Sequence, residues 1–272
     1  MSSQPLTRVI AFIAYAVMIV MNVLATTLPL NGIATNEISD KYDTLFAPSG
    51  FTFSIWGVIY TLLLVYTVYQ LVRTSEIVTS ITGWYIASSV LNSIWIVTWH
   101  YEILWLSLIV IVGMLFTLIR INAITTASRA GWVHTLAVRL PFAVYFGWIT
   151  VATVANASAM LVQWGFEGGF LLSAGGWTVA ILIVAAAIVS TVALINSSAV
   201  YALVLVWALW GILARHLSPE GWDQNYPGVI LTLQILLPVV AAVALVALVR
   251  WLRSPVVAVE SHPLWSRGRI KA

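Results

Sequence analysis

Eight long apolar runs, separated by short polar or turn-forming stretches, constrain this chain more than any other feature. They cover Leu6–Leu30, Phe51–Val72, Ile81–Trp99, Ile103–Asn122, Leu140–Gln163, Phe170–Leu194, Ala199–Leu217 and Gly228–Leu252. A helix that crosses a bilayer needs about 20 apolar residues. Lipid offers backbone amides no water, so each run must satisfy its own amides by becoming helical. Of the 272 residues, 61% are hydrophobic and only 8% charged. An average soluble domain carries about 25% charged residues. So few charges cannot clothe a water-facing surface, and the sequence predicts an all-α integral membrane protein with eight transmembrane helices. The first run extends beyond the roughly 7–15 residues of a signal-peptide core and ends in no A-x-A site, so it reads as a retained span.

The charges test this map. With the N-terminus in the cytoplasm and eight spans threaded, Arg8, Arg73, Arg120, Arg129, Arg139, Arg250, Arg253, Arg267, Arg269 and Lys271 are cytoplasmic. Only Lys41 and Arg215 fall outside. Most acids do the reverse: Glu37, Asp40, Asp43, Glu102, Glu167, Glu220 and Asp223 are external, whereas Glu76 and Glu260 are internal. This split satisfies the positive-inside rule and places both termini in the cytoplasm, as expected for a bacterial cytoplasmic membrane. The basic cytoplasmic segments suit anionic lipid, not nucleic acid.

Several chemistries are disfavoured. The chain has no cysteine, so disulfides, thiolate metal sites and cysteine nucleophiles are ruled out. No charged residue lies deep in a span, which argues against a proton relay or an ion-coupled carrier. His100, His134, His216 and His262 fall at membrane edges or in tails, leaving no positioned general base. The cluster His100–Tyr101–Glu102 reads as a solvated turn, and a metal there would need ligands from elsewhere. No catalytic residue, metal ligand or required cofactor is expected.

Polar and aromatic residues recur at matching depths. Asn92 lies near mid-membrane, and Asn22, Asn156 and Gln234 lie in the outer half of their spans. Each alone could be interhelical glue; together they point to a common cavity. Asn92, Trp95 and Trp99 share one helical face, as do Trp148, Ala152 and Asn156. Phe53, Trp56 and Tyr60 follow one another along the second span. Trp84, Trp132, Trp164, Trp177, Trp222 and Trp251 suit a membrane-border belt. Trp148 does not, because it lies several residues inside its span. By position alone, Trp56 and Trp95 suit a belt and a pocket wall equally. An aromatic-walled space with a few neutral hydrogen-bonding groups suits a flat, largely apolar ligand. The acidic loop 31–50 is long enough to cover it.

The same stretches carry a resemblance. "FSIWGVIY", "LNSIWIVTW" and "YFGWITVATVAN" occur in order on the second, third and fifth spans. They resemble the corresponding helix signatures of the tryptophan-rich sensory protein and translocator protein family (TspO/MBR). The likeness covers roughly Leu6–Gln163. It implies a five-helix bundle whose pocket opens toward the loop side, commonly in a homodimer, and binds porphyrins, sterols or isoquinoline- and benzodiazepine-type compounds. Carried over by position, Trp56, Tyr60, Asn92, Trp95, Trp148, Ala152 and Asn156 would line it. Phe53, Trp99 and Asn22 join them from spacing and depth. The loop departs from the family pattern, with a single Pro48 and no Trp.

The expected organisation is a ligand-binding bundle over 1–165, three additional helices over 166–253 and a basic tail over 254–272. The expected function is a sensor, receptor or carrier for a flat, largely apolar molecule such as a tetrapyrrole, sterol or isoprenoid. The alternatives are an enzyme acting on a tetrapyrrole or isoprenoid, or a passive transporter or membrane scaffold.

Overall fold

The computed structural model describes residues 4–28, 30–127, 131–166, 168–169, 171–256 and 262–263. Arg129, Glu167, Phe170, Glu260, Arg267, Arg269 and Lys271 lie outside the described residues. Eight long helices form: α1 (Gln4–Thr27), α2 (Ile55–Val72), α3 (Glu76–His100), α4 (Leu104–Thr126), α5 (Leu140–Gln163), α6 (Ala174–Ile195), α7 (Ala199–Leu217) and α8 (Pro227–Arg253). Seven stretches containing long helices are long and apolar enough to cross a membrane. The remaining long helix, α3, has 25 residues, about 37 Å at 1.5 Å per residue. It is less apolar because Thr82, Ser88, Ser89, Asn92, Thr98 and His100 are buried inside the protein. The chain is an all-α membrane protein; among the described residues extended pairing is confined to a two-residue antiparallel contact between Arg73–Thr74 and His262–Pro263 and a bridge between Gly168 and Ser173.

Helices α1 to α5 close into a ring in the order α1, α3, α4, α5, α2. The seam between α2 and α1 is among its sparsest contacts. Helix α7 docks on α5, and α8 joins α7 to α6. The α5–α7 contact depends on Gly147, where a Cβ would come within 2.9 Å of the Val204 Cβ. Away from the long loop, the ring interior is packed solid. Tyr66, Tyr85 and Phe142 meet edge to face there with centroids 4.7–5.6 Å apart. Arg8 is buried nearby, and its guanidinium donates to the carbonyls of Gln70 (2.7 Å) and Arg73 (2.9 Å).

The loop between α1 and α2 has structure of its own. It forms a seven-residue helix, Thr35–Lys41, and a 3₁₀ turn, Gly50–Ser54. Ile38, Tyr42, Leu45, Phe46 and Ala47 are buried. Helix α7 holds it down at several points. Ser49 N–H donates to the Gly211 carbonyl (3.0 Å), Trp207 Nε1 to the Thr52 carbonyl (2.9 Å), and Arg215 pairs with Asp40. His216 Nε2 meets the Leu45 carbonyl at 2.9 Å. Gly211 is required here, because a Cβ would lie 2.0 Å from Thr52 Oγ1.

Glu102 is a tether, where the sequence suggests a solvated turn. It accepts from Lys41 Nζ (2.6 Å) and from the Tyr42 hydroxyl (2.5 Å), and Gln163 Nε2 donates to that hydroxyl (3.1 Å). The Lys41 bond, then the Tyr42 bond, hold the Glu102 carboxyl below its ordinary range. Burial, then Glu102, push the Tyr42 phenol up to about 12.

Candidate ligand-binding site

The loop half of the ring interior is aromatic. Helix α2 begins directly after the 3₁₀ turn, so Phe53, Trp56 and Tyr60 descend one face of a continuous helical stretch. Trp56 sits at the centre. Its ring stacks on Tyr60 (5.5 Å, 21°) and lies 5.6 Å from Trp95, 6.2 Å from Trp148 and 6.3 Å from Tyr145. Phe53 meets Trp148 edge to face at 6.1 Å, and Trp95 stacks with Trp99 at 6.0 Å. Trp95, Trp99 and Trp148 are buried, so these indoles turn inward, not toward lipid.

Two spaces flank Trp56. The inner one is bounded by Phe53, Trp56, Trp95, Trp99, Trp148 and Asn156, with Pro48 of the loop above and Ala152 and Ala155 leaving the gap. It holds about 30 Å³ of free space, one water's share of liquid volume. The outer one is a cleft of about 410 Å³ at the sparse α1–α2 seam. Asn22, Thr26, Asn36, Phe53, Gly57 and Tyr60 line it, and the Trp56 ring is shared by both spaces. A Cβ on Gly57 would meet nothing within 4 Å, so the cleft is open at that point.

The polar residues divide into two groups. Asn22 Nδ2 donates to Asn92 Oδ1 (2.7 Å), and Asn92 Nδ2 donates to the Tyr145 hydroxyl (3.1 Å). This network ties α1, α3 and α5 beneath Trp56. Asn92 lines neither space. Asn156 Nδ2 donates instead to Ser107 Oγ at 2.7 Å. Its Oδ1 is buried without a partner among the described residues, as are the indole N–H groups of Trp95 and Trp148. Buried polar atoms are normally paired, so these three mark unspent hydrogen-bonding capacity beside the inner space. Trp99 Nε1 is paired, with the Thr35 carbonyl at 3.1 Å. Gln234 does not converge with the others, since it lies exposed on α8.

The belt assignment also changes. Trp132 and Trp164 are exposed and fit it. Trp251 is buried against Trp132, with ring centroids 5.0 Å apart. Trp177 and Trp222 line a separate space of about 320 Å³ outside the ring. Sequence reasoning did not foresee that space, although Trp222 and Tyr226 repeat the i, i+4 spacing of Trp56 and Tyr60. Trp207 and Thr35, which hold the loop in place, carried no local signal.

A family described as TSPO-like protein matches residues 8–250. The chain belongs to this family. The match runs through the ring and α6 and α7 into α8, well past the stretch where the helix signatures are legible. No curated protein and no solved structure gives a match.

Proposed function

We propose that this TSPO-like membrane protein binds a flat, largely apolar molecule, of tetrapyrrole, sterol or isoprenoid type, around Trp56 and acts as a sensor or carrier. The observation that carries this reading is the position of the Trp56 ring, which together with Phe53 and Thr35 divides a small inner space from a wide lateral cleft. Movement of the Trp56 and Phe53 rings joins the two spaces and brings a ligand within reach of the unpaired Trp95, Trp148 and Asn156 groups. The inner space alone is too small for such a ligand, so binding requires this movement. Binding without catalysis suits the walls: among the described residues lining the two spaces there is no carboxylate, imidazole or amine. In this reading α3 spans the bilayer with the other seven long helices, the loop end faces outward, and α6 to α8 brace the loop over the site.

Titrating protoporphyrin IX into the detergent-solubilised protein is expected to quench tryptophan fluorescence saturably. Trp148→Ala should weaken the response about tenfold, the loss of about 1.4 kcal/mol. Gly57→Leu, which fills the outer cleft, should weaken it as well. Quenching that is unchanged in both variants indicates partition into the micelle and overturns the site. Cysteines introduced at Asp43 and Val256 test the topology against a cysteine-free background. Labelling of both from the same face overturns the orientation.

A further inference from the structure

The space of about 320 Å³ lies outside the ring, where the loop, the end of α5, the start of α6 and the α7–α8 connection meet. Its size falls near the lower end of small-molecule sites, roughly 300–1,000 Å³. It shares no lining residue with the two spaces around Trp56. Phe46, Phe166, Trp177, Trp222 and Tyr226 supply aromatic walls. Phe166 and Trp177 meet at 6.3 Å and 64°, and Trp222 and Tyr226 at 5.5 Å and 88°. Trp222 stacks on His216 (6.2 Å, 28°), whereas Trp177 and Tyr226 stack on no ring among the described residues, and ring faces attract cations.

Charge adds a direction. Asp43 is the one charged side chain among the described residues lining the space. It is exposed, is held at φ 41°, and forms no ion pair with the described residues. The cations of the loop end are already engaged, Lys41 with Glu102 and Arg215 with Asp40. The Arg215 guanidinium also lies 5.9 Å from the centre of the Trp222 ring, so this ring is already engaged by a resident cation. We propose that this space binds a small organic cation, an alkylammonium whose charge sits between the Asp43 carboxylate and the faces of Trp177 and Tyr226. The apolar substituents pack against Phe46, Leu161 and Phe166. The proposal stands apart from the reading of the Trp56 site. The ammonium comes either from a free amine or from a phospholipid headgroup, since the space opens at the ends of the helices.

The test is ligand-observed NMR on the full chain in a maltoside detergent. The probes are choline and its uncharged isostere 3,3-dimethylbutanol. Choline should bind saturably and the isostere should not. Asp43→Asn should weaken choline about threefold, as expected for one exposed charge. Trp177→Leu should weaken it about fivefold, as expected for one lost cation–π contact. Ser158→Phe, which fills the space from α5, should abolish binding, with an unchanged thermal midpoint showing that the fold is intact. Trp56→Ala should leave choline binding as it is. Displacement of choline by added phosphatidylethanolamine assigns the lipid headgroup as occupant, and failure to displace assigns a free amine. Equal binding of the isostere overturns the proposal. So does wild-type choline binding in both Asp43→Asn and Ser158→Phe.

Discussion

The ring interior and the outer seam, where the loop meets α5, α6 and the α7–α8 connection, are both walled by aromatic rings, yet they hold space differently. Around Trp56 the rings press on one another, and the inner space shrinks to about 30 Å³. At this seam, rings from the end of α5, from α6 and from the α7–α8 connection meet edge to face around about 320 Å³. The first space is governed by side chains, the rings of Phe53, Trp56, Trp95, Trp99 and Trp148 that bound it. The second is governed by backbone positions, because the loop, α5 and α7 are fixed through Gly147 and Gly211. A wedge of indoles therefore fills its own interior, whereas a braced corner leaves a standing cavity.

Four substitutions break or sharpen this contrast. The largest effect is expected from Gly211→Val, which forces a side chain onto Thr52 and pries the loop from α7. Overpacking of this kind costs about 1–3 kcal/mol, so the thermal midpoint should fall and choline binding at the seam should be lost. Retention of both shows that the corner does not depend on this approach. Trp56→Ala comes next. It should remove the partition and weaken porphyrin binding about tenfold, or about 1.4 kcal/mol, while leaving the seam intact. Coupled loss at both sites, read by the two titrations on one sample, removes the distinction between them.

Asn92→Leu should cost less, about 1 kcal/mol of thermal stability, because hydrogen bonds between membrane helices are individually modest. Porphyrin affinity should change little, since Asn92 lines neither space; a large loss in the fluorescence titration places Asn92 in direct contact with ligand. The smallest effect is expected from Glu102→Gln, about 0.5 kcal/mol for an exposed ion pair. The folded-state pKa of Glu102 is depressed, so its contribution is complete above its ordinary value of 4.5 and is lost as pH falls through the lower folded value. Wild type and variant should therefore differ in thermal midpoint at pH 7 and converge in strong acid. A difference that persists there assigns the effect to packing.

Much of the aromatic cluster around Trp56 was legible in the chain. Trp56 and Tyr60, Trp95 and Trp99, and Trp148 and Ala152 are spaced one turn apart, and a helix must put such pairs on one face. Depth along a helix was legible too, which is why Asn22 and Asn92 meet. Depth did not say which way a residue faces, and Gln234, at a similar depth, turns outward. The seam cavity was hidden for a related reason. Trp222 and Tyr226 repeat the spacing of Trp56 and Tyr60, but Trp222 sits in a connection where a membrane border explains it equally well. The bond from Trp207 to Thr52 joins residues far apart in sequence, and neither position advertises its partner.

By itself the sequence determined that this protein lives in lipid as long helices, because every apolar run must satisfy its own backbone amides once water is absent. That demand is local, so it can be read locally. The ring order of the helices, the rotation that turns Asn92 inward and Gln234 outward, and the corner that Gly211 permits were decided only by the tertiary structure. They arise from contacts between distant segments, where the space left over depends on how closely two backbones approach.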